Sequence, residues 1–225
     1  MTRGNCHYCG NSYSKAGMSR HLQSCAQRRA LMEGKAGRGE EYYHLTAVGS
    51  PDYWMHLKAS QRAELEDLDS FLRAAWVECC GHLSAFTIEN AFYTSCPEPD
   101  FEDNKMDFPL REVLDAGMSF GYQYDFGSTT YVSLKVIGEF EEVPKGRPIQ
   151  IMARNEAPQF ACTVCGSAAA HICTECMYEG EAFFCERCAA GHECGEEMLL
   201  PVVNSPRMGV CGYSGSGNLG AYLPA

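Results

Sequence analysis

Pairs of cysteines with metal-ligand spacing are concentrated near the carboxyl end of this 225-residue chain. Three C-x-x-C pairs and one H-x-C pair follow one another within residues 162–194. The eight candidate ligands are Cys162, Cys165, Cys173, Cys176, Cys185, Cys188, His192 and Cys194. Each pair supplies half of a tetrahedral zinc site. So short a segment buries too little apolar surface to fold unaided, so we expect two structural zinc ions to stabilise it.

The spacing alone leaves the pairing of these ligands open between a sequential and an interleaved order. It resembles that of the cross-braced B-box, MYND and RING-like modules, and this resemblance favours interleaving. One ion is then held by Cys162, Cys165, Cys185 and Cys188, and the other by Cys173, Cys176, His192 and Cys194. The closing H-x-C pair is shorter than the H-x-x-x-C of MYND modules, which makes His171 a spare candidate.

A third set of candidate zinc ligands lies near the amino terminus, in the order Cys6, Cys9, His21 and Cys25. The set resembles the C2HC variants of the C2H2 zinc finger, with Tyr13 and Met18 at the positions that pack over the metal. We predict a helix from about Ser14 to beyond Arg29, which places His21 and Cys25 on one face. Three zinc ions per chain are expected in total.

Charge is distributed unevenly along the sequence. Residues 1–39 contain seven basic side chains and one acidic side chain, although the whole chain has a formal net charge of −11. Four cations of the finger are predicted to contact phosphates: Lys15, Arg20, Arg28 and Arg29. A single finger reads about three base pairs. The alternative is a protein-docking finger whose cations face an acidic partner or solvent.

The remaining sequence divides into segments by composition and hydrophobic pattern. Between the finger and the cysteine-rich module, alternating apolar residues and two helical patterns predict an α+β domain. The predicted boundaries are 1–30 for the C2HC finger, 31–41 for a linker, 42–143 for the α+β domain, 144–158 for a second linker, 159–211 for the double-zinc cross-brace module and 212–225 for a flexible tail. In the α+β domain, a helix is predicted with Ser60 as its N-cap and with Leu65 and Phe71 on its apolar face. Val132, Leu134 and Val136 alternate onto one face of a strand.

Several stretches of the central domain, "HLSAFTI", "PLREVLDAGMS" and "FGYQYDFGSTTYVSLKVIGEF", resemble the plasmid pRiA4b ORF-3-like family. Members of that family are labelled insertion-element passenger or TnpR-like proteins. The resemblance covers roughly residues 42–143 and implies an α+β fold and a mobile-element or host-defence setting. Where relatives continue with Asp, Trp and His after Y-D-F-G, this chain has residues 128–133, "STTYVS".

These observations predict a zinc-binding adaptor rather than an enzyme, because no nucleotide-binding, protease or hydrolase motif is present. The basic finger is expected to contact nucleic acid or an acidic partner, and the acidic body and cysteine-rich module to bind protein. The alternative is an enzyme, or a recombinase or nuclease accessory, with a cleft near Asp125; the competing interpretation of Asp125 is a turn. The chain lacks a signal peptide and a long apolar run, so we expect a cytoplasmic protein without a membrane partner.

Four cysteines lie outside the predicted zinc sites. Cys79, Cys80 and Cys96 have no metal-ligand spacing and are interpreted as small buried hydrophobic side chains. Cys211 is interpreted as a free thiol, and His82 as a structural or surface histidine.

Overall fold

A nine-stranded antiparallel sheet organises the protein, whose computed structural model describes residues 2–32, 37–98 and 103–224. Its strands are β1 (Arg3–Cys6), β2 (Ser12–Ser14), β3 (Glu40–Ser50), β4 (Tyr53–Ser60), β5 (Ser84–Ile88), β6 (Ala91–Thr94), β7 (Ser119–Tyr124), β8 (Thr130–Glu142) and β9 (Ile149–Asn155). Their spatial order is β2-β1-β9-β4-β3-β8-β7-β5-β6. The predicted mixture of helices and strands is therefore confirmed.

The helices are short, and they pack on the sheet or hold the metal-ligand clusters. They are α1 (Lys15–Ser24), α2 (Ala26–Met32), α3 (Leu65–Leu72), α4 (Leu110–Val113) and α5 (Glu186–Ala189). Helix α3 continues into a π-helical turn over Arg73–Val77, and together they cover one face of the sheet. No helix within the described ranges is long and apolar enough to cross a bilayer.

Helix α3 begins later than the sequence suggests. We expected Ser60 to be its N-cap, but Ser60 is the last residue of β4, where its amide donates to Pro148 O. The N-cap is Glu64, whose amide donates to the Asp67 carboxylate. The predicted apolar face is correct, because Leu65 and Phe71 are fully buried against the sheet.

Strand β4 is buried along its whole length, because both faces of the sheet are covered at this strand. Met55 and Leu57 belong to the core beneath α3, whereas Trp54 belongs to a second cluster with Met18 and Leu22 of the predicted finger (residues 1–30). Strand β8 shows the predicted alternation, with its apolar residues in the α3 core. The sheet thus has one face under α3 and part of the other under the finger.

Both predicted linkers differ from the structure. Residues 149–155, assigned to the second linker, form β9, which lies between β1 and β4. A continuous apolar run is typical of a strand that is covered on both faces, as β9 is. Of the first linker, residues 31–32 end α2 and 40–41 begin β3, whereas residues 33–36 lie outside the described residues.

The carboxyl-terminal module is built on a small three-stranded sheet. Its strands are β10 (His171–Cys173), β11 (Phe183–Phe184) and β12 (Leu199–Pro201), in the order β11-β10-β12. After β12 the chain returns to the central sheet, so residues 212–224 are not the flexible tail that the sequence predicts, and residue 225 lies outside the described residues. Tyr213 is fully buried, and the ring of Tyr222 lies 5.1 Å from that of Phe71.

Candidate metal centres

Within the part of the chain that the structure describes, the fold gathers cysteine and histidine side chains into four clusters, each with ligand atoms within 4.8 Å of one another. Every cysteine except Cys96 belongs to a cluster, and all the cysteines are free thiols. The clusters are Cys6, Cys9, His21 and Cys25; Cys79, Cys80, His82 and Cys211; Cys162, Cys165, Cys185 and Cys188; and Cys173, Cys176, His192 and Cys194. Each of them could hold a metal ion.

The first cluster connects β1 with helix α1. Cys9 Sγ lies 3.3 Å from His21 Nε2, and the ring of Tyr13 stacks on that of His21 at a centroid distance of 4.2 Å. Burial lowers the pKa of His21, which favours the neutral imidazole that binds metal. Met18 is fully buried and packs with Cys6 and Cys25, in line with the position over the metal that the sequence predicts for it.

The finger helix is broken at its last ligand. Cys25 has an extended backbone (φ −61°, ψ 116°) and ends α1, so the helix does not run continuously past Arg29 as we expected. The second piece, α2, starts at Ala26 and packs against the body through Arg28.

Arg28 is therefore not one of the free cations of the finger. Its side chain is only 7% exposed, it donates to Leu22 O at 2.8 Å, and its guanidinium lies 4.3 Å from the centre of the Phe140 ring. Arg20 and Arg29 are exposed, and Lys15 is half-buried at the sheet. The predicted phosphate-contacting set thus loses Arg28, because its stem and guanidinium pack on β8.

The structure groups Cys162, Cys165, Cys185 and Cys188 in one cluster of the carboxyl-terminal module. The sulfurs of Cys165 and Cys185 are 3.7 Å apart. Two thiolates on one tetrahedral zinc ion are expected at roughly 3.8 Å, given a Zn–S bond of about 2.3 Å. Hydrogen bonds from Ser167 lower the pKa of Cys165 to about 6, which favours its metal-binding thiolate.

The last cluster contains the remaining ligands of the module. Cys176 Sγ lies 3.4 Å from His192 Nε2 and 3.7 Å from Cys194 Sγ. The grouping of the two clusters is the interleaved one that the cross-brace resemblance favoured. The spare candidate His171 lies outside both, because its Nε2 is 3.0 Å from the Glu186 carboxylate.

The cluster of Cys79, Cys80, His82 and Cys211 was not predicted from the sequence. Cys80 and Cys211 are exposed and Cys79 is half-buried, so these residues are not small core side chains. No spacing rule joins Cys211 to ligands more than a hundred residues earlier. The C-C-x-H run at 79–82 was the available signal, because it places three candidate ligands in four positions.

Asp125 lies beside this cluster in a turn after β7. Its backbone is left-handed (φ 66°), and its carboxylate accepts hydrogen bonds from the amides of Gly127 and Ser128. Arg207 donates to the same carboxylate at 2.7 Å, and this hydrogen bond is the main cause that lowers the pKa of Asp125 to about 2. The contacts fit the interpretation of Asp125 as a turn residue.

No family model matches this chain, and no curated protein is significantly similar to it. The resemblance of residues 42–143 to the pRiA4b ORF-3-like family therefore stays a prediction. A solved structure, a protein of unknown function from Methanosarcina mazei Go1, is similar at 16% identity and a TM-score of 0.47. The similarity covers 52% of this chain and 71% of that chain, and it says nothing about function.

Proposed function

We propose that this protein is a zinc-stabilised adaptor whose carboxyl-terminal module binds another protein. The observation that carries the proposal is the exposure of two large apolar side chains on the ligand loops of that module. Val164, between Cys162 and Cys165, is 68% exposed, and Tyr178, two residues after Cys176, is 86% exposed. Tyrosine is enriched where proteins meet, and it loses little conformational entropy when it becomes ordered.

The donor sets support a structural role for zinc at the two ends of the chain. Each set offers four Cys or His side chains, which completes a tetrahedron and leaves no position for water or substrate. The zinc ions of this proposal hold the loops that present Val164 and Tyr178, and the ions do not react.

The small number of exposed cations on the finger favours a protein partner over nucleic acid. With Arg28 packed on Phe140, the exposed cations of α1 and α2 are reduced to Arg20 and Arg29. Nucleic-acid affinity rises with the number of neutralised phosphates, and the chain as a whole has a net charge of −11. The finger consequently packs on the edge of the sheet and stabilises it. Any contact that it makes with an anionic surface is local.

The contacts of Asp125 give little support to the enzyme alternative. Its carboxylate accepts hydrogen bonds from two amides and from Arg207, and these three hydrogen bonds hold it as an ionised turn residue. A general base near neutral pH needs a pKa closer to the working pH than about 2.

The test is affinity capture from the native host with the full zinc-loaded chain as bait. A Val164→Ser/Tyr178→Ala double variant should lose at least tenfold of the specifically captured protein, because both anchors are removed without touching a ligand. Tyr131→Ser is the matched control, since Tyr131 is 66% exposed but lies on β8 of the central sheet. Both variants should keep the zinc content of the unmodified chain.

Two results would count against the proposal. Equal capture by both variants would mean that the apolar residues of the module do not contact the partner. Recovery of nucleic acid, with binding that weakens steeply with salt and is lost in an Arg20→Ala/Arg29→Ala variant, would instead make the finger a nucleic-acid contact.

A further inference from the structure

We propose a fourth zinc site, formed by Cys79, Cys80, His82 and Cys211, which fastens the segment 202–213 to the central domain. The segment after β12 runs back across the sheet, and it is defined here as the clasp segment (residues 202–213). Three ligands come from the loop between the π-helical turn and β5, and the fourth comes from the clasp segment. The site lies outside the two zinc modules of the proposed adaptor, so it goes beyond that function.

The distances within the cluster fit a tetrahedral ion. Cys80 Sγ lies 3.7 Å from Cys79 Sγ and 3.8 Å from Cys211 Sγ, close to the roughly 3.8 Å expected for thiolates that share zinc. His82 Nε2 lies 3.1 Å from Cys80 Sγ and 3.2 Å from Cys211 Sγ. These sulfurs are far beyond the disulfide length of about 2.05 Å.

The loop that supplies three ligands is held by a network around Tyr124. The Tyr124 hydroxyl accepts from the amides of Cys79 (3.4 Å) and His82 (3.2 Å) and donates to the Glu78 carboxylate (3.0 Å). Arg73 donates to His82 O at 2.8 Å. Supporting contacts of this kind fix the orientation of metal ligands, and here they act on both sides of Cys80.

The clasp segment has its own anchor beside the cluster. Arg207, four residues before Cys211, is fully buried and donates to Asp125 Oδ2 at 2.7 Å and to Cys79 Sγ at 3.5 Å. Its guanidinium lies 4.8 Å from the centre of the Tyr124 ring. A buried cation that donates to a ligand sulfur stabilises the thiolate form, so the clasp segment contributes both a ligand and a compensating charge.

Three thiolates and one imidazole form a soft, nitrogen-containing donor set that selects zinc rather than magnesium or calcium. Four protein ligands close the coordination sphere, which indicates a structural ion. Cys211 adopts a left-handed backbone (φ 50°), a conformation that is uncommon outside glycine. Coordination of its thiol provides the interaction that offsets this strain.

Native mass spectrometry of the full chain, purified under reducing conditions with Zn²⁺, tests the proposal directly. The unmodified chain should contain four zinc ions, and Cys80→Ser and Cys211→Ser should each contain three. Cys96→Ser is the matched control and should keep four, because Cys96 is exposed and belongs to no cluster within the described residues. Hydrogen exchange of the clasp segment should accelerate at least tenfold in Cys211→Ser and stay unchanged in Cys96→Ser.

A measurement without substitutions covers the case in which a variant does not fold. In the native zinc-loaded chain, a thiol-alkylating reagent should label Cys96 at least tenfold faster than Cys80 and Cys211, although all three are exposed. Equal labelling would overturn the fourth site. A count of three zinc ions in both the unmodified chain and Cys211→Ser would also overturn it. An intact mass lower by two hydrogens, with a Cys80–Cys211 disulfide, would also overturn it. Fewer than three zinc ions in the unmodified chain would instead contradict the proposed adaptor, which has three zinc ions at its two ends.

Discussion

Two histidines on neighbouring strands show how a single pair of residues makes the fold sensitive to pH. His44 Nε2 and His56 Nδ1 are 2.9 Å apart, and both rings are buried beneath the finger. Burial lowers the pKa of His44 to about 3 and that of His56 to about 4. The positive charge of Arg28 adds to the shift of His44. Both rings are therefore neutral in the folded protein near pH 7.

This pair should destabilise the protein in mild acid. The unfolded chain takes up protons below a pKa of about 6.5, whereas the folded chain resists them until about pH 4, so the free energy of unfolding falls across that interval. Each histidine contributes a slope of up to about 1.4 kcal/mol per pH unit. Urea unfolding at several pH values should show that the free energy of unfolding depends less steeply on pH in the His44→Gln/His56→Gln variant than in the unmodified chain. Parallel curves for the two proteins would contradict the prediction.

Single residues also mark the limit of what the sequence predicts. The ligands of the finger and of the module follow short spacing rules, and the structure brings those residues together. Arg28 resembles its neighbour Arg29 in sequence, but the end of α1 at Cys25 turns Arg28 onto Phe140 and leaves Arg29 in solvent. Cys211 joins its partners only through the path of the clasp segment, which no local pattern encodes.

At the scale of elements, the pairing of β1 with β9 attaches the finger to the sheet. Gly4 lies opposite Asn155 in this pairing, and a side chain there would collide with the carbonyl oxygen of Arg154 and the ring of Trp54. The substitution Gly4→Ala should therefore reduce the free energy of unfolding by about 1–3 kcal/mol, the usual range for overpacking.

The matched control for Gly4→Ala is Gly138→Ala in β8, where an added methyl group meets no atom within 4 Å. Its effect should stay within about 0.5 kcal/mol. Urea unfolding gives both values, and hydrogen exchange should report faster exchange in β1 and β9 only for Gly4→Ala. Equal stability of the two variants would mean that the finger is not braced by the sheet edge.

Local patterns identified elements better than they identified boundaries. The alternation in β8 and the apolar face of α3 were predictable, because each follows from one period along the chain. Strand β9 was assigned to a linker because its neighbours in the sheet, β1 and β4, lie far from it in sequence. Its burial on both faces comes from the finger on one side and the α3 core on the other.

The whole molecule combines two sources of stability. The central sheet has a large continuous apolar core under α3, whereas the buried apolar cluster of the carboxyl-terminal module is small and is centred on Cys173, Phe184 and Ala189. Structural zinc contributes about 10–16 kcal/mol of folding free energy in finger peptides, far more than the burial of so few side chains. The module should therefore depend on metal, and the central sheet on packing.

Removal of zinc by a strong chelator should consequently unfold the molecule in parts. Amides of β10 and β12 should lose protection from hydrogen exchange by at least a hundredfold. Those of β3, β4 and β8 should stay protected, since the buried residues of the core beneath α3 include none of the candidate metal ligands. Addition of Zn²⁺ in excess of the chelator should restore the protection, whereas Mg²⁺ should not, because thiolates bind it weakly. Retained protection in β10 after complete zinc loss would show that the module folds by packing alone. Loss of protection in β3 at the same rate would show that the ends and the sheet fold as one cooperative unit.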